Sequence, residues 1–274
     1  MKVSRLENGR RVIACLFFIA VTSGVLWSQS TQEHANVIRV LTFNILHGAT
    51  TKGDFNLDVI AKVIKDADAD FVALQEVDFK TNRAKKYDLV QELGWRAKLI
   101  PLFGRAMPYD GGEYGEGILS RYTLLSSRNV ALPHTPGKEP RAALEIVTTL
   151  PSGDTVAFVG THLDHTNPET DRVYQVKKIN EVFSTNPYPT ILAGDLNAVP
   201  GSTPINILEE IWTPSYDKQG VKYTYSSKNP TKKIDYIMVY PKNRWKILST
   251  EVIEDSIASD HCAYLVELEL LGAE

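Results

Sequence analysis

Residues 142–162 read AALEIVTTLPSGDTVAFVGTH. Ala142–Leu150 is an apolar, β-branched run, Pro151-Ser152-Gly153-Asp154 is a turn cluster, and Thr155–Thr161 is a second such run. So short a turn joins antiparallel neighbours, which argues against an all-parallel sheet. Downstream, a helix is expected from about Pro168 to Phe183, with Val173, Val176 and Phe183 supplying part of a buried stripe, and Pro189–Ala193 reads as a buried strand. Thr203–Ile211 reads as a short helix, and Tyr223–Ser226, Ile234–Tyr240, Lys246–Val252 and Cys262–Leu270 as closing strands. Upstream, Val37–Phe43, Phe71–Leu74, Tyr114–Ser120 and Tyr122–Leu132 read as strands. Leu57, Ile60, Ala61 and Ile64 fall at helical spacing within Asn56–Ala67, with Asn56 as the cap, and Tyr87–Leu93 reads as a helix ended by a left-handed Gly94. Hairpins mixed with helices imply an α+β or mixed-sheet α/β layered fold. No G-x-G-x-x-G or Walker loop is present.

The 274 residues are 43% hydrophobic and 23% charged, with a formal charge of −3, which excludes a disordered, collagenous or multi-span membrane chain. Lys2, Arg5, Arg10 and Arg11 precede the uncharged apolar run Val12–Trp27 and the polar Ser28-Gln29-Ser30, the order of a secretory signal peptide. At 16 residues the run is short of the roughly 20 that span a bilayer, so an uncleaved N-terminal anchor is the lesser alternative. Residues 1–30 are therefore expected to be removed, and residues 31–274 to form one catalytic domain. That removes four basic residues, Glu7 and Cys15, leaving 26 Lys+Arg against 32 Asp+Glu, a net charge of −6, and Cys262 alone. Without a disulfide or a C-x-x-C pair, stability must come from the core, and any metal should be held by oxygen and imidazole.

Polar residues interrupt the apolar strands at recurrent places. Asn44 ends VLTFN, Glu76 ends FVALQE, His162 ends VAFVGTH, Asp195 and Asn197 lie in ILAGDLN, Asp235 lies in KIDYIMVY, and Asp260-His261 opens the last strand. A carboxylate at the end of a buried strand is costly unless paired, hydrogen-bonded or bound to a metal. In a strand Asp235 shares a face with Ile237 and Val239, and His261 is its natural partner.

The ordered set TFN, LQEV, YGEGILSRY, THLD, GDLN, IDYI and SDH, from about Ile38 to Leu270, resembles the endonuclease/exonuclease/phosphatase superfamily. Its members include DNase I, abasic-site endonucleases, inositol-polyphosphate 5-phosphatases, bacterial sphingomyelinases and deadenylases. The resemblance implies a DNase I-like four-layer sandwich, with two mixed β-sheets packed together, helices outside, and the site at one end of the sheets. It implies that Glu76 is the direct Mg²⁺ ligand, helped by Asn44 and Asp260, with Mn²⁺ as a substitute. Asp195 resembles the residue that orients and deprotonates the attacking water, and Asn197 its phosphate-contacting companion. His162 and His261 resemble the pair that contacts the phosphoryl group, and Asp235 resembles the carboxylate behind His261.

Arg83 and Arg141 are candidates to grip an anion, against the readings of a solvated loop for Arg83 and an ion pair with Glu139 for Arg141. Glu116 stands in YGEGILSRY where many relatives carry a neutral residue, so either it points away and Tyr114 takes the contact, or the substrate brings a hydroxyl or cation to it. His47 and His165 sit near enough to line a pocket, whereas His134 is expected to play no chemical part. The expected activity is that of an exported, monomeric phosphoesterase acting on a small or exposed phosphate ester. A secreted nuclease is the alternative, disfavoured by the negative mature charge, and a non-catalytic binding module on the same fold is the third reading. The destination is periplasmic or extracellular.

Overall fold

The computed structural model describes residues 37–272. The expected export segment, residues 1–30, lies outside the described residues. In chain order the elements are β1 (Val37–Asn44), α1 (Leu57–Ala67), β2 (Phe71–Phe79), α2 (Leu89–Ala97), β3 (Ile100–Tyr109), β4 (Gly112–Ser120), β5 (Leu124–Leu132) and β6 (Arg141–Thr149). They continue with β7 (Thr155–His162), α3 (Thr170–Phe183), β8 (Thr190–Asp195), α4 (Thr203–Glu209), β9 (Thr213–Pro214), β10 (Asp235–Tyr240), β11 (Trp245–Ile253) and β12 (Ala263–Leu270).

The strands form two six-stranded sheets, β11-β12-β1-β2-β4-β3 and β5-β6-β7-β8-β10-β9. Each sheet contains one parallel pair, β1 with β2 and β7 with β8, and is otherwise antiparallel. Three buried clusters separate four layers. Leu57, Ile60 and Ile64 of α1 and Leu89 and Leu93 of α2 pack on one face of the first sheet. Val176, Ile179 and Phe183 of α3 and Ile205 and Leu208 of α4 pack on the outer face of the second. Between the sheets lie Ile38, Val40, Phe71 and Ile118 from one side and Leu144, Phe158, Ile191 and Ile237 from the other. Phe71 and Phe158 stack across that interface with centroids 5.1 Å apart, a pairing that adds about 0.5–1.5 kcal/mol to the area they bury. This is the expected four-layer sandwich.

The expected helix α1 forms with its apolar stripe buried, and Asn56 Oδ1 accepts from the amides of Asp58 and Val59 at 3.2 and 3.4 Å. Elsewhere the expectations are corrected. Helix α2 runs three residues past Gly94, and its left-handed terminus is Lys98 at φ 59°. Gly94 is there for room, since a Cβ would meet Leu99 O and Pro101 Cβ, both at 2.9 Å. Strand β3 was not expected because IPLFGRAMPY has two prolines and no apolar run, but it is an edge strand, where proline is tolerated. Tyr223–Ser226 does not form a strand; Tyr225 makes only isolated bridges to Lys232 and His261, and the two-residue β9 closes the sheet edge instead.

Candidate active site

Period-two alternation carries the inter-sheet face of several strands to one rim. On β1 that face runs Ile38, Val40, Thr42, Asn44; on β7 Val156, Phe158, Gly160, His162; on β8 Ile191, Ala193, Asp195. Strand β10 runs the opposite way, so its face begins at the rim with Asp235 and continues through Ile237 and Val239 into the core. Within the second sheet the register makes a row of three, because His162 pairs with Asp195 and Asp195 with Asp235.

Glu76 reaches the same rim by a different device. Alternation along β2 puts Phe71, Ala73 and Gln75 between the sheets and Glu76 on the opposite face. A register shift between Leu74 and Val77, with Glu76 at φ 57°, breaks that parity and turns the carboxylate to Asn44 and His47. Asp260 and His261 lie just before β12, where Ser259 Oγ donates to Asn44 O at 2.6 Å and ties the loop to β1. The result is a cleft of about 590 Å³ that Glu76, Tyr114, Arg141, His162, Asp195 and His261 help to line.

Asp195 is at the centre. Its Oδ2 accepts from Asn44 Nδ2 at 3.2 Å and lies 3.5 Å from His162 Nε2 and 3.6 Å from His261 Nε2, while Oδ1 accepts the Asn197 amide at 2.9 Å. His261 Nδ1 is 3.1 Å from both oxygens of the fully buried Asp235. Burial opposes protonation of His261, but Asp235, Asp195 and Asp260 outweigh it and raise its pKa, so the ring is an imidazolium at neutral pH. Burial and the nearby Asp235 raise the Asp195 carboxyl above its ordinary range, against the pull of His261. His162 is held neutral by burial and by the Arg141 cation. Its ring stands between two donors, Arg141 Nη1 at 3.3 Å and Asn197 Nδ2 at 3.1 Å, and a neutral imidazole accepts from only one of them.

A divalent cation suits the Glu76 side of the cleft. Burial works against the Glu76 charge, but hydrogen bonds from His47 and Asn44 and the neighbouring His162 lower its pKa to about 2. Among the described residues no Lys or Arg pairs with Glu76 or Asp260, both of which line the cleft. That leaves uncompensated oxygen donors of the kind a hard cation takes. Asn44 enters this set through its nitrogen, which donates to Glu76 and Asp195 while its oxygen accepts the Leu46 amide, so it orients the carboxylates. Asp195, Asp235 and His261 also bring donor atoms within 4.8 Å of one another. His261 Nδ1 is already engaged by Asp235, and this buried trio is better suited to holding a proton than Mg²⁺.

The other predicted residues divide. Arg141 is buried at the cleft wall, pairs with Glu139 at 2.9 Å and places Nη1 3.5 Å from Tyr114 Oη, so the ion pair and the cleft position coexist. Arg83, His47 and His165 line the cleft; His134 does not. Tyr225, whose ring centroid is 4.8 Å from that of His261, lines it too and was missed, since KYTYSS carries no distinguishing pattern.

Glu116 points inward beneath the cleft, fully buried, with neither oxygen meeting a hydrogen-bond partner. Burial, with Asp195 and Glu76 nearby, raises its pKa well above the carboxylate range despite Arg141. Above about pH 4.3 the unfolded chain ionises this acid while the folded chain keeps its proton, so stability falls as pH rises. Glu116→Gln removes that dependence. The variant's unfolding free energy, measured by urea denaturation in EDTA, should gain on wild type from pH 5 to pH 8, at no more than about 1.4 kcal/mol per pH unit. A difference that stays constant over that range would count against a protonated Glu116.

The model of the Endonuclease/Exonuclease/phosphatase family matches residues 41–261. No curated protein sequence matches the chain. Among solved structures, an endonuclease/exonuclease/phosphatase from Beutenbergia cavernae is 23% identical over 87% of this chain and 72% of its own, with a TM-score of 0.73. A mannosyl-6-phosphatase from Bacteroides thetaiotaomicron is 20% identical over 84% of this chain and 99% of its own, at a TM-score of 0.68. The human Nocturnin catalytic domain with bound sulfate is 20% identical over 86% of this chain and 94% of its own, at 0.65. With its strand-end motifs converging on one cleft and the family model covering most of its length, the chain belongs to the endonuclease/exonuclease/phosphatase family, whose members hydrolyse phosphate esters.

Proposed function

We propose that the protein is an exported, monomeric phosphoesterase that uses Mg²⁺, with Mn²⁺ as a substitute, on a small or exposed phosphate monoester or diester. The observation that carries this reading is Asp195, held between His162 and His261 and bridged by Asn44 to a Glu76 carboxylate facing the cleft. Asp195 takes the proton of the attacking water, and His261, kept cationic by Asp235, offsets charge on the phosphoryl oxygens. Asn197 and His162 complete the phosphoryl pocket. Glu76 and Asp260 would hold the cation, which supplies Lewis-acid polarisation of the phosphate. Export rests on the basic and apolar order of residues 1–30. Among the described residues no helix is long and apolar enough to cross a membrane.

Rates on p-nitrophenyl phosphate, bis-p-nitrophenyl phosphate and plasmid DNA, with Mg²⁺ and with EDTA, test the reading. Hydrolysis of the small esters should require the metal, and no hydrolysis of any of the three would refute it. Lys80, Lys85 and Lys86, neighbours in sequence of the cleft-lining Arg83, favour a nuclease as the second reading, which plasmid nicking far above the small-ester rates would establish.

The charge state of His261 sets the alkaline side of the pH profile. Asp235→Asn removes the carboxylate that raises the His261 pKa, so the alkaline limb of kcat/KM should move down by at least about one pH unit, toward the ordinary histidine value near 6.5. An unmoved limb would assign it to another group.

A further inference from the structure

Arg83 is built into the cleft more firmly than a loop arginine needs to be. The fully buried Asp78, two residues past Glu76, accepts from Arg83 Nε at 2.7 Å and from Nη2 at 2.9 Å, and also accepts from Thr81 Oγ1 at 2.6 Å. This bidentate clamp fixes the plane of the guanidinium before any ligand arrives. The guanidinium lies 4.5 Å from the ring centroid of Tyr109 and 5.7 Å from that of Tyr114. A guanidinium carries five N–H donors, and among the described residues no acceptor meets the two on Nη1.

Two further observations say what Nη1 is for. The segment Lys80–Lys86 carries four cations and no acid, and of these Arg83 is the one that lines the cleft. Arg141, the cation beside His162, has its guanidinium carbon 5.9 Å from the Tyr114 centroid, so the two arginines stand within about 12 Å of each other across one ring. Arg141 suits the phosphoryl group under attack. In-line attack puts the leaving oxygen on the side of phosphorus away from the water that Asp195 activates, and Arg83, on the loop between β2 and α2 of the first sheet, lines the same cleft as Asp195 on the second.

We propose that Arg83 is a specificity-determining residue whose free Nη1 edge binds an anionic group on the alcohol half of the substrate. The site then prefers phosphate esters that carry a second phosphate or a carboxylate over esters of neutral alcohols. This rests on the phosphoesterase reading above, and binding and turnover are therefore measured separately.

Sorbitol 6-phosphate and 6-phosphogluconate are open-chain C6 phosphate esters that differ at C1, a hydroxymethyl group in the first and a carboxylate in the second. Titration calorimetry on Mg²⁺-loaded Asp195→Asn protein should give a Kd about 10- to 100-fold lower for 6-phosphogluconate, the value of one charge-assisted hydrogen bond. Adding Arg83→Lys leaves a cation for Asp78 but spends it there, and the two Kd values should converge to within about threefold. Arg83→Gln checks the same loss without the charge. Equal Kd values in the protein that keeps Arg83, or a preference that survives Arg83→Lys, would overturn the proposal. If the preference is present and native protein hydrolyses neither ester nor p-nitrophenyl phosphate, bis-p-nitrophenyl phosphate or plasmid DNA, the subsite stands and the phosphoesterase reading fails.

Discussion

Asp195→Asn should lower kcat/KM toward a phosphate ester by about 10³- to 10⁴-fold, with the fold retained. The substitution is isosteric, so Oδ1 can still accept the Asn197 amide, now 2.9 Å away. The other oxygen becomes an NH₂ that faces Asn44 Nδ2, itself a donor, and the two histidine nitrogens. The site then loses both the group that takes the proton from water and the anion that steadies the His261 imidazolium. General-base catalysis alone accounts for about 10²–10⁴-fold, and the misdirected donor places the loss in the upper part of that range. Stability should not follow activity downward. Burial raises the Asp195 pKa above its unfolded value, so the contribution to folding is fully present below the unfolded pKa and is lost as pH rises through the folded one. At pH 7 an uncharged amide carries no such penalty. Thermal melts should therefore show the variant gaining on wild type as pH rises from 4 to 7, and a rate within tenfold of wild type would remove Asp195 from the chemistry.

Much of this site was legible because alternation is a local rule. Once β1, β7, β8 and β10 are read as strands with Val40, Phe158, Ile191 and Ile237 inside, Asn44, His162, Asp195 and Asp235 must follow at the same rim. Even the Asp235–His261 contact follows, since a carboxylate on the face of Ile237 and Val239 needs a partner.

What alternation could not supply is wherever the backbone leaves it. Counting along FVALQEVDF puts Gln75 between the sheets and Glu76 away from them; only the bulge at φ 57° brings Glu76 to the cleft. Gly94 carried the composition of a helix terminus, but its missing side chain makes space for Leu99 and Pro101. Strand β3 is an edge strand with little to bury, so its sequence has no period to read. Arg83 shows a different limit. That it faces an anion was open to reading from the loop, but the choice between a solvated cation and a clamped one depends on a fully buried Asp78, and burial is a tertiary fact. Glu116 is similar: parity places it on the inward face with Tyr114 and Ile118, but not at a depth where no donor reaches it.

Glu76→Gln should raise the Mg²⁺ concentration for half-maximal activity by at least tenfold and lower kcat/KM at saturating Mg²⁺ by about 10²–10³-fold, the range for losing one preorganised electrostatic contact. The argument turns on which carboxylate is ionised when the cation arrives. Glu76 is, because hydrogen bonds from His47 and Asn44, together with His162, overcome burial and hold its pKa at about 2. Asp260 is less well provided for, since burial and the charge of Glu76 raise its pKa against the pull of His261. The two carboxylates thus differ in kind. Glu76 is an anion across the whole working pH range, whereas Asp260 protonates first as pH falls, so Mg²⁺ affinity should weaken on the acid side through Asp260 while Glu76 stays charged. Glutamine at position 76 keeps an oxygen for the cation and removes its charge, and its NH₂ must take the place of one of the two oxygens that now face Asn44 Nδ2 at 3.2 Å and His47 Nδ1 at 3.3 Å. Neither loss is repaired by raising the substrate concentration, so the defect should appear in the Mg²⁺ dependence at every substrate level. Calorimetric Mg²⁺ titration of wild type, Glu76→Gln and Asp260→Asn at pH 5 and pH 7.5 separates the two roles. Wild type should bind more weakly at pH 5, Asp260→Asn should lose most of that pH dependence, and Glu76→Gln should bind weakly at both. Equal Mg²⁺ affinity in Glu76→Gln and wild type would place the cation elsewhere in the cleft, with the Asp195, Asp235 and His261 trio as the remaining set of donors.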